Sequence, residues 1–337
     1  MLAQGRLQNW AHGSAHHTPS NRLPSIGHRI QAIFRVMERM VMRHDPVMVR
    51  EILDVFALKP GDVVVDGTLG LGGHSLKFAE QVWPTGTVLG MDWDAKMLAE
   101  AHKRLASAED VKVIFANDDF RNMRQHLEAH GLKPNAILLD LGLNLAQIED
   151  PERGIAFSTG GPLDMRMDRT GGDTAASLLN RLSPVEIEKI LFEFGDERWA
   201  RAIAKQIVER RRNDPLRTTQ DLVDCVLAAI PPGARDKRIH PATRTFQAVR
   251  IAVNRELEGL DEAFREAANS LALGGTLAVL SYHSGEDRIV KHAFRDLASQ
   301  GFEDLFKKPV QPAEDEIRAN PRSRSAKLRA IRRVAEN

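Results

Sequence analysis

The apolar run Val63-Val64-Val65 leads into Asp66-Gly67-Thr68-Leu69-Gly70-Leu71-Gly72-Gly73-His74-Ser75, and helical periodicity begins directly after it. Glycines between a strand end and a helix start let a ligand approach the backbone closely, in the crevice where open α/β sheets bind nucleotides. The dinucleotide fingerprint would need glycine at 75 after Gly70 and Gly72, but serine stands there, and no phosphate-loop Gly-Lys-Ser/Thr occurs. Asp92 follows at the interval where a Rossmann-type acid meets ribose hydroxyls. An adenosine cofactor without a pyrophosphate fits these facts, and S-adenosylmethionine is the commonest of that kind. The glycine loop alone would also serve as a mere tight turn; loop and acid together point to the cofactor.

These residues need a frame. Short apolar runs at Val63 to Val65, Val88 to Met91, Val111 to Phe115 and Ala136 to Leu139 predict strands, the first, second and fourth ending at Asp66, Asp92 and Asp140. Helical patterns lie between them, including one near Ser75 to Gln81, so a parallel sheet covered on both faces is expected. After Asp150 the alternation stops, and helical periodicity occupies Ser183 to Phe194, Asp196 to Arg212 and Thr219 to Ile230. A strand returns at Thr276 to Tyr282. The expected organisation is a leader over 1–42, the first part of an α/β domain over 43–150, an inserted helical substrate-recognition domain over 151–245, and the remainder of the α/β domain with a basic C-terminal tail over 246–337.

Composition narrows the class. With 337 residues, 42% hydrophobic and 28% charged, the chain can build a large core. Its one cysteine, Cys225, sits in an apolar run, reads as core filler and excludes an internal disulfide or a thiolate-rich zinc site. No metal is expected. No apolar run reaches membrane-span length, so no membrane partner is expected. Residues 1 to 36 carry no acid and read as a largely disordered leader, with a short helix around Ile30 to Met42. The reading favoured for this leader is an upstream start codon, with Met37, Met40 or Met42 as the effective beginning; the alternative is an organellar transit peptide. The expected location is cytoplasmic, or organellar on that alternative. The net charge of +1 conceals a basic cluster, Arg318, Arg322, Arg324, Lys327, Arg329, Arg332 and Arg333, with no acid between its ends. Such a run is either a solvated face or a phosphate-binding surface.

Several ordered stretches carry a resemblance. Besides the glycine loop they are Gly161-Pro-Leu-Asp-Met-Arg-Met-Asp168, Gly195-Asp-Glu-Arg198, His240-Pro-Ala-Thr-Arg-Thr-Phe-Gln-Ala-Val-Arg250, His283-Ser284 with Glu286-Asp-Arg-Ile-Val-Lys291, and Asn320-Pro-Arg-Ser-Arg-Ser325. From about Arg43 to Arg333 the chain resembles the RsmH/MraW family of 16S ribosomal RNA cytosine-N4 methyltransferases. The resemblance implies a Rossmann-like class I S-adenosylmethionine methyltransferase fold with an inserted α-helical domain. It implies cofactor contacts at Gly72, Gly73, His74, Asp92, Phe120, Asp140 and Gln147, with Phe120 at the adenine and Asp140 facing the methionine portion. The chain departs from the family at Asn144-Leu145-Ala146, where Ser-Ser-Pro is usual, at Trp93, where Arg is common, and at Gly285, where Leu is common.

Cytosine N4 is a poor nucleophile because its lone pair is delocalised into the ring, so an enzyme of this kind must orient the amine and accept its hydrogens. Asp140 and Asn144 are the candidate acceptors, although Asn144 would equally stabilise a turn. For RNA, the pattern over 196 to 212 puts Trp199, Ile203 and Ile207 on a core face and Arg198, Arg201, Lys205 and Arg212 on a basic side. Arg244, Arg250, Arg322, Arg324 and the rest of the tail cluster extend that surface. The expected partner is ribosomal RNA or the small ribosomal subunit, with a homodimer left open. The competing readings are a methyltransferase for another amine and a ribosome-assembly RNA-binding protein without turnover; the full glycine loop and Asp92 weigh against the second.

Overall fold

The computed structural model describes residues 46–106, 108, 110–143, 148, 150–157, 160–236 and 238–335, all within the compact unit His44–Asn337. The expected leader and the candidate residues Asn144 and Gln147 lie outside the described residues.

Strands β1 (Val63–Asp66), β2 (Thr87–Met91), β3 (Lys112–Ala116), β4 (Ala136–Asp140) and β5 (Thr276–Ser281) run parallel. With β6 (Phe302–Asp304) and β7 (Lys327–Arg333) they form a seven-stranded sheet of order β3-β2-β1-β4-β5-β7-β6. The chain reverses direction across the sheet at β1, so the ends of β1 and β4 splay apart into the crevice where such sheets take ligands. The central strands are almost wholly apolar because helices cover both faces, and all six residues of β5 are buried. On one face α1 (Val49–Phe56) and α2 (Gly73–Val82) pack Ile52, Phe56, Phe78 and Val82 against Val64, Leu138 and Leu280. The other face receives Met123 and Leu127 of α4 (Met123–His130), which follows α3 (Ala95–Leu105) in the chain.

Five helices build a second core: α5 (Ala175–Arg181), α6 (Pro184–Gly195), α7 (Ala200–Arg211), α8 (Thr219–Ala229) and α9 (Thr243–Asn254). Its centre is Leu179, Ile187, Leu191, Ile203, Ile207, Leu222, Val226, Phe246 and Val249. Capping fixes the starts: Ser183 with Glu186 opens α6, and Thr218 with Asp221 opens α8, each as a reciprocal capping box. Cys225 is buried in this core, and burial pushes its thiol up to about 11. Helix α9 runs through residue 245 and carries Phe246, Ala248 and Val249 into the same core. Then α10 (Leu260–Ser270) and α11 (Ser284–Leu297) return to the sheet beside α4, and the short α12 (Glu314–Ala319) precedes β7. No helix among the described residues is long and apolar enough to cross a membrane.

Two sequence expectations change. The helix expected over Asp196 to Arg212 begins at Ala200, because Asp196, at φ +48, closes α6. More consequentially, Lys327–Arg333 is no tail: it is inserted antiparallel between β5 and β6, with Leu328, Arg329, Ala330 and Ile331 buried.

Candidate active site

The ends of β1, β2, β3 and β4 converge on one pocket enclosing about 780 Å³, its solvent-open mouth included, within the size range of small-molecule sites. Gly67, Thr68 and Gly70 come from the turn after β1, Asp92 and Trp93 follow β2, and Asp118 to Arg121 follow β3. Asp140 ends β4 and Leu141 to Leu143 follow it, and Met167, Glu256, Leu260 and Glu286 close the pocket from later in the chain.

Asp92 is held by the turn it faces. Gly70, at φ +51, donates its amide to Oδ2 at 2.7 Å, and Asp94 donates its amide to Oδ1 at 2.8 Å. Burial pushes the carboxyl up to about 6, against those two donors, with Asp94 and Asp66 adding repulsion. Each oxygen retains acceptor capacity toward the pocket. Asp66, by contrast, is structural: it is 1% exposed, accepts from Ser75 Oγ at 2.7 Å and braces β1 to α2. Burial raises its carboxyl as well, opposed by the nearby His74.

Asp140 is gripped from several sides. Its amide donates to Thr68 Oγ1 at 2.7 Å, and its Oδ1 accepts from the Gly142 amide at 3.0 Å. The Tyr282 phenol lies near the same carboxylate, and burial followed by the Asp140 charge holds it well above its ordinary value. Only glycine at 142 permits this, since a Cβ there would stand 2.5 Å from Tyr282 Cε2. Behind Asp140 lies His74, 7% exposed. Its Nε2 donates to the Val47 carbonyl at 2.9 Å, leaving Nδ1 directed at Asp140 Oδ2, 4.0 Å away.

Of the residues the resemblance implies for the cofactor, the pocket wall therefore gathers Asp92, Phe120 and Asp140. Gly72, Gly73 and His74 stand behind it: Gly72 caps α2 at φ +73 beside Leu105, and Gly73 abuts Pro46. The wall also holds carboxylates whose place the sequence reading missed. Glu256 makes a two-pronged pair with Arg250 at 2.8 Å to each oxygen. Glu286, 3% exposed, accepts from the Tyr282 and His283 amides at 2.8 and 3.3 Å. The buried Nε2 of His283 lies 3.1 Å from Glu286 Oε1 without forming a hydrogen bond. Asp118 stays below the usual carboxylate range, since bonds from Asn122 and His126 outweigh the effect of burial. The motif containing Glu286 was visible in sequence, but nothing there separates a pocket carboxylate from an ordinary acid in a helix's first turn.

The lining thus sets Asp92, Asp118, Asp119, Asp140, Glu256 and Glu286 against one guanidinium, Arg121, itself paired with Asp119. Such a field favours a cationic ligand and disfavours a pyrophosphate. The residues fit S-adenosylmethionine: a carboxylate for ribose, an aromatic ring for the base, and an acidic surround for sulfonium and ammonium.

Among the expected RNA contacts, Arg198, Arg201, Lys205, Arg244, Arg322 and Arg324 are all exposed. Arg198 donates to the Ala234 carbonyl and Arg244 to the Asp196 carbonyl, both at 3.3 Å, and Lys205 lies 3.8 Å from Glu209. Arg250 is not part of that surface, because its charge is spent on Glu256. Arg329 is 6% exposed and paired with Asp287 at 2.7 Å. His240 has a packing role, stacked on Phe157 with ring centres 4.4 Å apart.

The profile described as the MraW methylase family matches residues 41–334. A ribosomal RNA small subunit methyltransferase H from Syntrophotalea carbinolica is 43% identical over 315 residues, covering 88% of this chain and 100% of the relative. Its namesake from Sorangium cellulosum is 44% identical over 293 residues, covering 87% and 91%. A solved structure described as a putative rRNA methylase from Clostridium thermocellum aligns with a TM-score of 0.42 at 14% identity, covering 88% of this chain and 100% of that one.

Proposed function

The chain belongs to the MraW methylase family, and from that premise we propose that it transfers a methyl group from S-adenosylmethionine to the N4 amine of a cytosine in small-subunit ribosomal RNA. The observation that carries the cofactor reading is the acid-lined pocket at the ends of β1, β2 and β4. The relatives' shared name supports the RNA class of substrate.

In this reading Asp92 accepts hydrogen bonds from the ribose hydroxyls, and Phe120 lies against the adenine. The bound cofactor supplies an activated methyl on a positive sulfur. Asp140, fixed by Thr68 and Gly142, accepts a hydrogen of the target amine and turns its nitrogen lone pair toward the methyl. Positioning of this kind supplies much of a methyl transfer's acceleration without a strong base. Asn144 is a second acceptor in the same proposal. A cytosine in a helix has to be turned out of its stack to reach so recessed a carboxylate. The helical region 151–245 and the exposed residues Arg198, Arg201, Lys205, Arg244, Arg322 and Arg324 receive the surrounding RNA.

The test is direct. The protein is incubated with methyl-labelled S-adenosylmethionine and small-subunit particles from cells lacking it, and the RNA is digested to nucleosides. Label in N4-methylcytidine is expected; label in another nucleoside or only in protein would replace the substrate, and no transfer with intact cofactor binding would favour an assembly factor.

A further inference from the structure

We propose that the solvent face of α11, formed by Arg288, Lys291 and Arg295, is a track for the phosphate backbone of the RNA substrate, continuous with the helical layer across the hydrogen bond between Ser284 and Asp196. The proposal rests on the RNA reading above and assigns it a surface.

The exposed positions of α11 are Ser284, Arg288, Lys291, His292 and Arg295. At 3.6 residues per turn, Ser284, Arg288, Lys291 and Arg295 fall on one line opposite the buried Val290, Ala293, Phe294 and Leu297. An ordinary solvated helix face mixes charges of both signs, and this helix does contain acids, but none lies on that line. Glu286 points inward to the pocket, and Asp287 is taken by Arg329 and Lys327 at 2.7 and 3.4 Å. Asp296 pairs with Arg265 at 2.8 Å and only loosely with Arg295 at 3.8 Å. Arg288 and Lys291 have no ion-pair partner among the described residues, and both are exposed.

Position strengthens the case. The line begins where α11 meets the helical layer: Ser284 Oγ donates to Asp196 Oδ2 at 2.7 Å, and Arg244 binds the Asp196 carbonyl. It therefore starts beside Arg244, two residues from the pocket residue Glu286, and at 1.5 Å per residue runs about 16 Å to Arg295. A row of cations leading from the pocket suits a polyanion that enters at one nucleotide and continues along the surface; phosphates spaced along one strand are such a polyanion.

The experiment compares the wild-type protein with the triple variant Arg288→Gln, Lys291→Gln, Arg295→Gln, measuring affinity for small-subunit ribosomal RNA over a salt series. If each side chain neutralises one phosphate, the slope of log affinity against log salt becomes shallower by about 2 to 3. The KM for RNA rises while kcat at saturating RNA, S-adenosylmethionine affinity and the thermal midpoint stay at wild-type values. A charge-keeping variant, Arg288→Lys, Lys291→Arg, Arg295→Lys, retains the wild-type slope. A triple Gln variant with the wild-type slope overturns the track while leaving the methyltransferase reading standing. A wild-type protein that neither binds nor methylates the RNA overturns both.

Discussion

At Asp92 the fold and the proposed ribose contact pull in opposite directions. Burial raises this carboxyl from 3.8 to about 6, so its contribution to stability is fully present below about pH 3.8 and is lost as pH rises through about 6. Ionising it at neutral pH costs the protein about 3 kcal/mol, an order-of-magnitude figure from the size of that shift. Ribose hydroxyls favour the ionised form. Affinity for S-adenosylmethionine is therefore expected to weaken as pH falls below about 6, and Asp92→Asn should both lower affinity by about 10- to 100-fold and flatten that dependence. Calorimetry across the acid range checks this; a flat wild-type profile would contradict the assignment of Asp92 to the ribose. The grip on Asp140 gives a second expectation. Tyr282→Phe removes the phenol beside the Asp140 carboxylate while keeping the ring beside Gly142, so single-turnover methyl transfer should slow by about 10-fold or more with little change in cofactor affinity. Equal loss of both would assign Tyr282 to packing.

Between elements, the crossing of α6 and α9 depends on the lack of a side chain at Gly195. A Cβ there would stand 2.7 Å from the Arg244 carbonyl oxygen and 3.0 Å from Ala248 Cβ. Gly195→Ala should force the helices apart and cost about 1 to 3 kcal/mol in denaturant unfolding. Gly233→Ala, where nothing stands within 4 Å, should be nearly neutral. This packing glycine was visible as part of a motif, but its reason was not, because the partner atom belongs to a residue far along the chain. The same distinction separates what could and could not be read in advance. Strands β1, β2, β4 and β5 were legible because burial on both faces makes them continuous apolar runs, and Asp92 and Asp140 because they end such runs. Strand β7 was hidden by its arginines: Arg329 is tolerated inside only because Asp287, on α11, neutralises it. Glu256 and Glu286 reach the pocket through loop and helix placements that no local pattern encodes.

Over the whole molecule, the pocket is walled by the sheet's loops and closed by Met167 and Glu256, from the segments just before α5 and just after α9, and Arg153 joins the parts that meet there. Its side chain is 4% exposed, as is that of Asp94, which its Nη2 meets at 2.7 Å; its Nη1 donates to the Met167 carbonyl at 2.9 Å. Asp94 also caps α3 and donates its amide to Asp92, while the Met167 amide donates to Asn254 at the end of α9. One guanidinium thus ties the loop after β2 to the helical layer. Removing it breaks this buried ion pair, so Arg153→Ala should destabilise the protein by about 3 to 5 kcal/mol. If loss of that pair is the main cost, neutralising Asp94 should restore stability: with Arg153→Met, which fills the space, adding Asp94→Asn should recover most of the loss, because asparagine still caps the helix. A double-mutant cycle in denaturant measures that coupling. Strong coupling, together with weakened cofactor binding in Arg153→Met that Asp94→Asn does not repair, is expected if the guanidinium both neutralises Asp94 and holds Met167 against the pocket. Additive losses would mean that Arg153 acts through packing alone.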